Sequence, residues 1–262
     1  MLISQLCKEQ DFETEWFKNA CTQLQHPHVY HRKLWEFCYI YQGLLERGML
    51  ASGKKGLGFG VGKERLVSLF AAHGCQIVAT DLDVDRAKVQ GWVDSNQHSN
   101  HLDELNQYGL CDAEQFCKFV TFENVDMNHI PDKYENRFDF TWSSCAFEHC
   151  GSIELGKNFI INQMKCLRPG GIAIHTTEFN VSSNDETLEY GITVLFRKRD
   201  IEWMVETLRA AGHSIDIDYS LGNGQIDSFI DVPPYTSQYH LKLQIGQFVS
   251  TSIGLIIKKA EA

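Results

Sequence analysis

Cations are scarce in this chain. Its 24 lysines and arginines face 34 aspartates and glutamates, which leaves a formal net charge of −10. An average surface of that sign argues against a nucleic-acid backbone as partner, because such partners are gripped through clustered basic side chains. Long apolar runs are missing as well: nothing approaches the roughly 20 residues that span a bilayer. Residues Met1 to Leu6 lack both a basic start and a long apolar core, so no secretory leader is expected. Cysteines are present, nine of them, but no C-x-x-C pair occurs and the number is odd. That excludes a zinc or disulfide framework and fits buried thiols in a reducing cytoplasm. There is no internal repeat and no low-complexity segment. What remains is an ordinary globular profile, read as one compact unit with additions.

Two nucleotide fingerprints are absent too. G-x-G-x-x-G fails in either register: counted from Gly58 its last slot is Lys63, and from Gly56 it is Val61. The phosphate loop G-x-x-x-x-G-K-[ST] fails because Glu64 follows Gly62-Lys63, and an acid at a helix start repels polyphosphate. What is there is Gly58-x-Gly60-x-Gly62, running into a helix-like stretch from Glu64 to Ala72. A short apolar strand then closes on Asp81, 19 residues after Gly62. Glycines let backbone approach a ligand where a Cβ would block it. A carboxylate about 20 residues beyond such a turn suits a ribose diol. The pattern predicts a site for an adenosine without phosphates, S-adenosylmethionine being the common one. A plain tight turn between strand and helix is the bland alternative for the glycines alone.

They do not stand alone. Phe119 to Phe122, Asp126-Met127, Phe138 to Ser144 and Leu167-Arg168-Pro169-Gly170-Gly171 follow in order. From about Gly56 to Lys258 this succession resembles the class I S-adenosylmethionine-dependent methyltransferases. The resemblance implies that Gly58, Gly60 and Gly62 face the methionine and ribose of the donor. It implies that Asp81 holds the ribose hydroxyls, that Asp126 bonds the adenine amino group with Met127 against the ring, and that Ser143 lines the pocket near the sulfonium. One slot departs from the pattern. Two residues before the first glycine the family carries an acid, and here that residue is Gly56, so Glu64 or the first segment has to take over its task. A narrower likeness rests on Arg32 to Glu36, His175 to Asn180, Ser183-Asn184, Val194 to Asp200 and His240 to Leu243. These are similar to bacterial-type methyltransferases found beside glycosyltransferases, which implies a sugar or nucleotide sugar as acceptor, in glycan or polysaccharide biosynthesis.

Alternation of strands and helices predicts an α/β fold, doubly wound, with a seven-stranded mostly parallel sheet and helices on both faces; the resemblance makes the last strand antiparallel. The strands are expected at Lys55–Phe59, Gln76–Thr80, Phe119–Phe122, Phe138–Trp142, Ile172–Thr177, Ser214–Tyr219 and Ser252–Lys258. Residues 1–50 read as a helical extension, by resemblance a lid, ahead of a methyltransferase unit at 51–262. Asp94 to Asn106 reads as short helices and loops, Pro169-Gly170-Gly171 as a helix stop and turn, and Asp200 as a helix N-cap. Leu221 to Phe248 is too long for a turn, and connections of that length usually carry function.

Methylating a hydroxyl needs in-line placement and a group that takes the proton. Such sheets bind ligands beyond the carboxyl ends of their strands, which selects Glu148-His149 after the fourth strand as catalytic candidates. His149 is the first choice for base; bracing its loop is the alternative. Glu178, Asn180, Asp231 and His240 are candidate acceptor contacts. A divalent metal held by Glu178, Asp227, Asp231 and His240 is a second hypothesis, as such oxygen-rich sets suit magnesium or calcium. Turn formation is the plainer role for Asp227 and Asp231. Methylation of nitrogen or carbon in a natural product, and an inactive donor-binding partner protein, stand as rival functions. Homo-oligomerisation is left open.

Overall fold

The strands form where the sequence alternates or runs apolar. A computed structural model describes residues 1–83, 102–235 and 238–261. In chain order the strands are β1 (Ser4–Leu6), β2 (Lys55–Phe59), β3 (Gln76–Asp81), β4 (Val120–Asn124), β5 (Phe138–Ser144), β6 (Leu167–Asn180), β7 (Ile217–Asp218), β8 (Ile230–Asp231), β9 (Lys242–Ile245) and β10 (Phe248–Lys258). The described helices are α1 (Glu9–Phe12), α2 (Glu15–Gln23), α3 (Arg32–Glu46), α4 (Leu66–Ala72), α5 (Ala113–Phe119), α6 (Ile153–Gln163) and α7 (Lys198–Ala210). One sheet runs β4-β3-β2-β5-β6-β10-β1-β7, with β9 on β10 and β8 on β9. β2 to β6 are parallel. β10 lies antiparallel to β6, as expected for the last strand. The order turns back between β2 and β5, and that is where open α/β sheets leave a crevice.

Each face of the sheet buries its own core. Phe140 and Trp142 of β5 pack with Phe70 of α4 and with Trp35 and Tyr39 of α3. Leu57, Phe59, Ala173 and Leu255 meet Phe159 of α6 and Ile201 and Met204 of α7. Phe138 belongs to this second core although Phe140 faces the first. A register irregularity between the two residues turns the strand over, as a bulge does.

Several expectations need correcting in detail. Among the described residues the sheet has ten strands rather than seven. Residues 1–50 are not wholly helical, because β1 sits between β10 and β7, antiparallel to the first and parallel to the second. Its Ser4 Oγ accepts the Ile256 N–H at 2.9 Å. The strand expected at Ser214–Tyr219 shrinks to Ile217–Asp218, and β6 extends through Pro169-Gly170-Gly171, with Gly170 at φ +72. Helix α7 starts at Lys198, so Asp200 is not its N-cap; it lies in the first turn and accepts the Arg197 N–H at 2.9 Å. Of the Asp94–Asn106 stretch, residues 94–101 lie outside the described residues; Leu102–Asn106 is a short 3-10 helix. All nine cysteines are free thiols, and only Cys117 is exposed. No described helix is long and apolar enough to cross a membrane.

Candidate active site

The glycine turn leaves β2 and doubles back over β3. Gly60 and Gly62 take φ of +56 and +50, left-handed values that glycine adopts without steric cost. Gly58 serves packing instead: a Cβ there would fall 2.4 Å from the Trp142 ring. The Gly62 N–H donates to Asp81 Oδ2 at 2.9 Å, and the Leu82 N–H to Oδ1 at 2.8 Å. Two backbone donors thus fix the carboxylate at the carboxyl end of β3. Beyond β4, the Val125 N–H reaches the Asp81 carbonyl at 2.8 Å. Asp126 Oδ1 accepts the Asn128 N–H at 2.8 Å, while Oδ2 lies 3.1 Å from His129 Nδ1. Met127 lies against the turn, its sulfur 3.5 Å from where a Cβ on Gly60 would stand. The helix expected from Glu64 begins only at Leu66.

These parts enclose a cavity of about 490 Å³ at the crevice between β2 and β5, within the usual size of a small-molecule site. Gly60, Gly62, Asp81, Asp126 and Met127 line it, together with Ser144, Cys145 and His149 and with His26, Lys33 and Phe37 from the N-terminal segment. Sequence reasoning gave no site role to Lys33 or Ser144; Cys145 stands at the strand end where the sequence allows a nucleophile, and a small apolar packing role is the plainer reading. Ser143 is buried and not on the wall; its Oγ pairs with His175 Nδ1 at 2.7 Å. Successive strand residues face opposite ways, so a one-residue error put the wrong serine in the cavity. His175, wholly buried, is the core residue its strand position suggests, and burial drops its pKa to about 3.

His149 reaches the wall as expected. Its Nδ1 lies 2.7 Å from the Ile192 carbonyl oxygen. A carbonyl only accepts, so Nδ1 carries the proton and Nε2 is the basic nitrogen. Burial brings the imidazole pKa down to about 4, the Ile192 bond opposing and Lys33 assisting, so the ring is neutral across the working range. Glu148 is not on the wall. It is fully buried, accepts from Thr177 Oγ1 at 2.9 Å, and keeps Oε1 3.8 Å from His149 Nε2. Burial raises its pKa, so it stands behind the histidine rather than at the reacting atoms.

The expected acceptor contacts lie elsewhere, and none of the four is on the cavity wall. Glu178 is buried in a network with Arg32, which also reaches Glu36 at 3.1 Å, and it accepts from Ser250 Oγ at 2.5 Å. Asn180 shapes a turn, accepting the Ser182 and Ser183 N–H groups at 2.9 and 3.1 Å. Asp231 and His240 form a buried pair, Oδ2 to Nδ1 2.7 Å, beneath a stacked His31. Asp227 accepts the Glu9 and Gly224 N–H groups at 2.8 and 3.0 Å. The four proposed metal ligands therefore do not converge. The ligand-type group that does converge among the described residues is Cys145, Glu148 and Glu178, and the Arg32 guanidinium already contacts two of its members. A fixed cation in that position fits a charge network better than a metal site.

Residues 57–175 match a protein family described as a methyltransferase domain. Those residues carry a methyltransferase domain, and the enzyme is an S-adenosylmethionine-dependent methyltransferase. The fold of this methyltransferase is similar to solved structures of other such enzymes. One from Mesorhizobium loti, an S-adenosylmethionine dependent methyltransferase, has a TM-score of 0.50 at 13% identity, covering 84% of this chain and 97% of that one. Another, among the SAM-dependent methyltransferases, from Methanosarcina mazei, has a TM-score of 0.51 at 11% identity, covering 83% and 98%. No curated protein matches the methyltransferase's sequence. Its cofactor is S-adenosylmethionine, and the cavity fits that donor at an observable point. A side chain on Gly60 would meet Ala146 at 2.9 Å and fill the cradle beside Asp81.

Proposed function

We propose that this methyltransferase methylates an oxygen of a small polar acceptor, a sugar hydroxyl in glycan assembly. The observation that carries the reading is His149: a neutral imidazole on the cavity wall, its tautomer set by the Ile192 carbonyl so that Nε2 accepts. When bound, S-adenosylmethionine supplies an electrophilic methyl group on a sulfonium. Asp81 takes the ribose hydroxyls, Asp126 the adenine amino group, and Met127 lies against the ring. Gly60 and Gly62 let the backbone close on the donor, while Gly58 packs beneath. Residues 1–50 act as a lid through His26, Lys33 and Phe37, on the unit formed by 51–262. Lys33 lines the cavity, its Nζ 3.9 Å from Glu36. Burial alone would lower its pKa, but Cys145 and Glu36 raise it on balance, so it stays charged and ready to orient oxygen groups.

A hydroxyl is a poor nucleophile until its proton leaves. As the oxygen bonds to carbon it gains positive charge and its proton becomes strongly acidic, so a weak base such as His149 Nε2 suffices. With the donor saturating, kcat should stay level from pH 8 down to about 5, because protonation of His149 begins only toward its pKa of about 4. His149→Ala should lower kcat by about 10²- to 10⁴-fold. Transfer of a labelled methyl group to a panel of sugars, nucleotide sugars and amines tests the acceptor. Labelling of amines alone, or undiminished turnover by His149→Ala, would overturn the reading.

A further inference from the structure

Glu64 stands two residues past the last glycine of the turn, on the cavity wall and 8% exposed. Its Oε1 accepts from Trp142 Nε1 at 2.6 Å, and among the described residues no other hydrogen bond and no ion pair reaches it. The groups facing it are Trp142 from β5, Asp81 from β3, and Lys33 and Glu36 from α3. Burial disfavours its charge most, Asp81 and Glu36 add repulsion, and the Trp142 bond and Lys33 only partly oppose them; the pKa is pushed up to about 8. A carboxyl in that position is a liability without a cation to meet it. The upstream slot at Gly56 has no room for one: a Cβ there would lie 2.4 Å from the Phe140 ring and 2.9 Å from Ile77 Cδ1. Glu64 thus places a buried carboxyl on the cavity wall beside Asp81, on the helix side of the glycine turn.

We propose that Glu64 is the counter-charge for a cationic centre of the donor, its sulfonium or its α-ammonium, and that it releases its proton to solvent as that cation arrives. This rests on the methyltransferase reading. Binding and proton release are coupled, so the same residue that leaves the empty pocket neutral makes the occupied one an ion pair.

Titration calorimetry in two buffers of different protonation enthalpy counts the protons. At pH 7, wild-type protein should release close to one proton more than Glu64→Gln on binding S-adenosylmethionine. Repeating the titration with S-adenosylhomocysteine separates the two cations. Extra release with both ligands assigns the α-ammonium, and extra release with the methyl donor alone assigns the sulfonium. A further check needs no variant: wild-type affinity for the donor should improve by up to about tenfold per pH unit between pH 6 and 8 and then level. Equal proton release by wild type and variant, or an affinity flat over that range, overturns the role of Glu64. Folded wild-type protein that binds neither ligand overturns the methyltransferase reading itself, and the role of Glu64 with it.

Discussion

Asp81 shows how much of a candidate site is set by a few backbone atoms. Its two oxygens are each tied to an N–H, from Gly62 and Leu82, so the carboxylate is oriented before any ligand arrives. Hydrogen bonds to a charged group are worth about 1.5–3 kcal/mol. Asp81→Ala should therefore weaken S-adenosylhomocysteine binding by about tenfold to a hundredfold in calorimetry, with the far-ultraviolet spectrum unchanged. The position of Asp81 at the end of its strand, beside the glycine turn, was legible in the sequence, because the spacing of turn and strand brings the two together. Asp126, Met127 and His149 were placed from motif order and reach the wall. Ser143 was not, since strand periodicity makes a one-residue error a change of face. Glu178, Asn180, Asp231 and His240 look like sugar contacts as residue types, but tertiary partners claim each of them: Arg32, a turn, and one another.

At the scale of elements, α3 is the part whose role no local pattern reveals. It buries Arg32 and Glu36 among its apolar side chains. Glu36 accepts from Ser144 at 3.1 Å and from Thr176 at 3.2 Å, while Arg32 joins Glu178. The helix is thereby pinned to β5 and β6 and to Ser252 of β10, holding Lys33 over the cavity. Removing one member of a buried charge pair leaves the other uncompensated and costs about 3–5 kcal/mol. Arg32→Met should lower the urea midpoint by a corresponding amount. Arg32→Met combined with Glu178→Gln should recover part of the loss, because the stranded carboxylate is gone. Equal midpoints for Arg32→Met and wild type would mean that the network contributes nothing to docking α3.

For the whole molecule, stability and binding oppose each other at Glu64. Its folded pKa, about 8, lies above the ordinary carboxyl value of about 4.5. The folded state therefore holds this proton where the unfolded chain gives it up. The associated stability is fully present below about 4.5, is lost as pH climbs toward 8, and is gone above it. Without ligand, Glu64→Gln should melt higher than wild type by a margin that widens from pH 5 to 8 and then stays constant. A margin independent of pH in thermal melts would rule this out. The same protein would then bind the donor less well, as expected where a site carries a charge that the fold alone does not favour.

The sequence by itself determined the alternation of strands and helices, the glycine turn and the strand-end carboxylates, because each follows from spacing and local sterics; the antiparallel last strand was expected only from the family resemblance. It did not determine that Ser4–Leu6 would become an interior strand, since three residues carry no period and their partners lie some 250 positions away at Ile253 and Gly254. Nor did it decide which polar residues face the cavity. Glu64, Lys33 and Ser144 reach it while Glu178 and Asp231 are enclosed, and that division depends on contacts between segments far apart in the chain. Spacing encodes what a backbone does over a few residues; only the packed structure decides which side chains are left to meet a ligand.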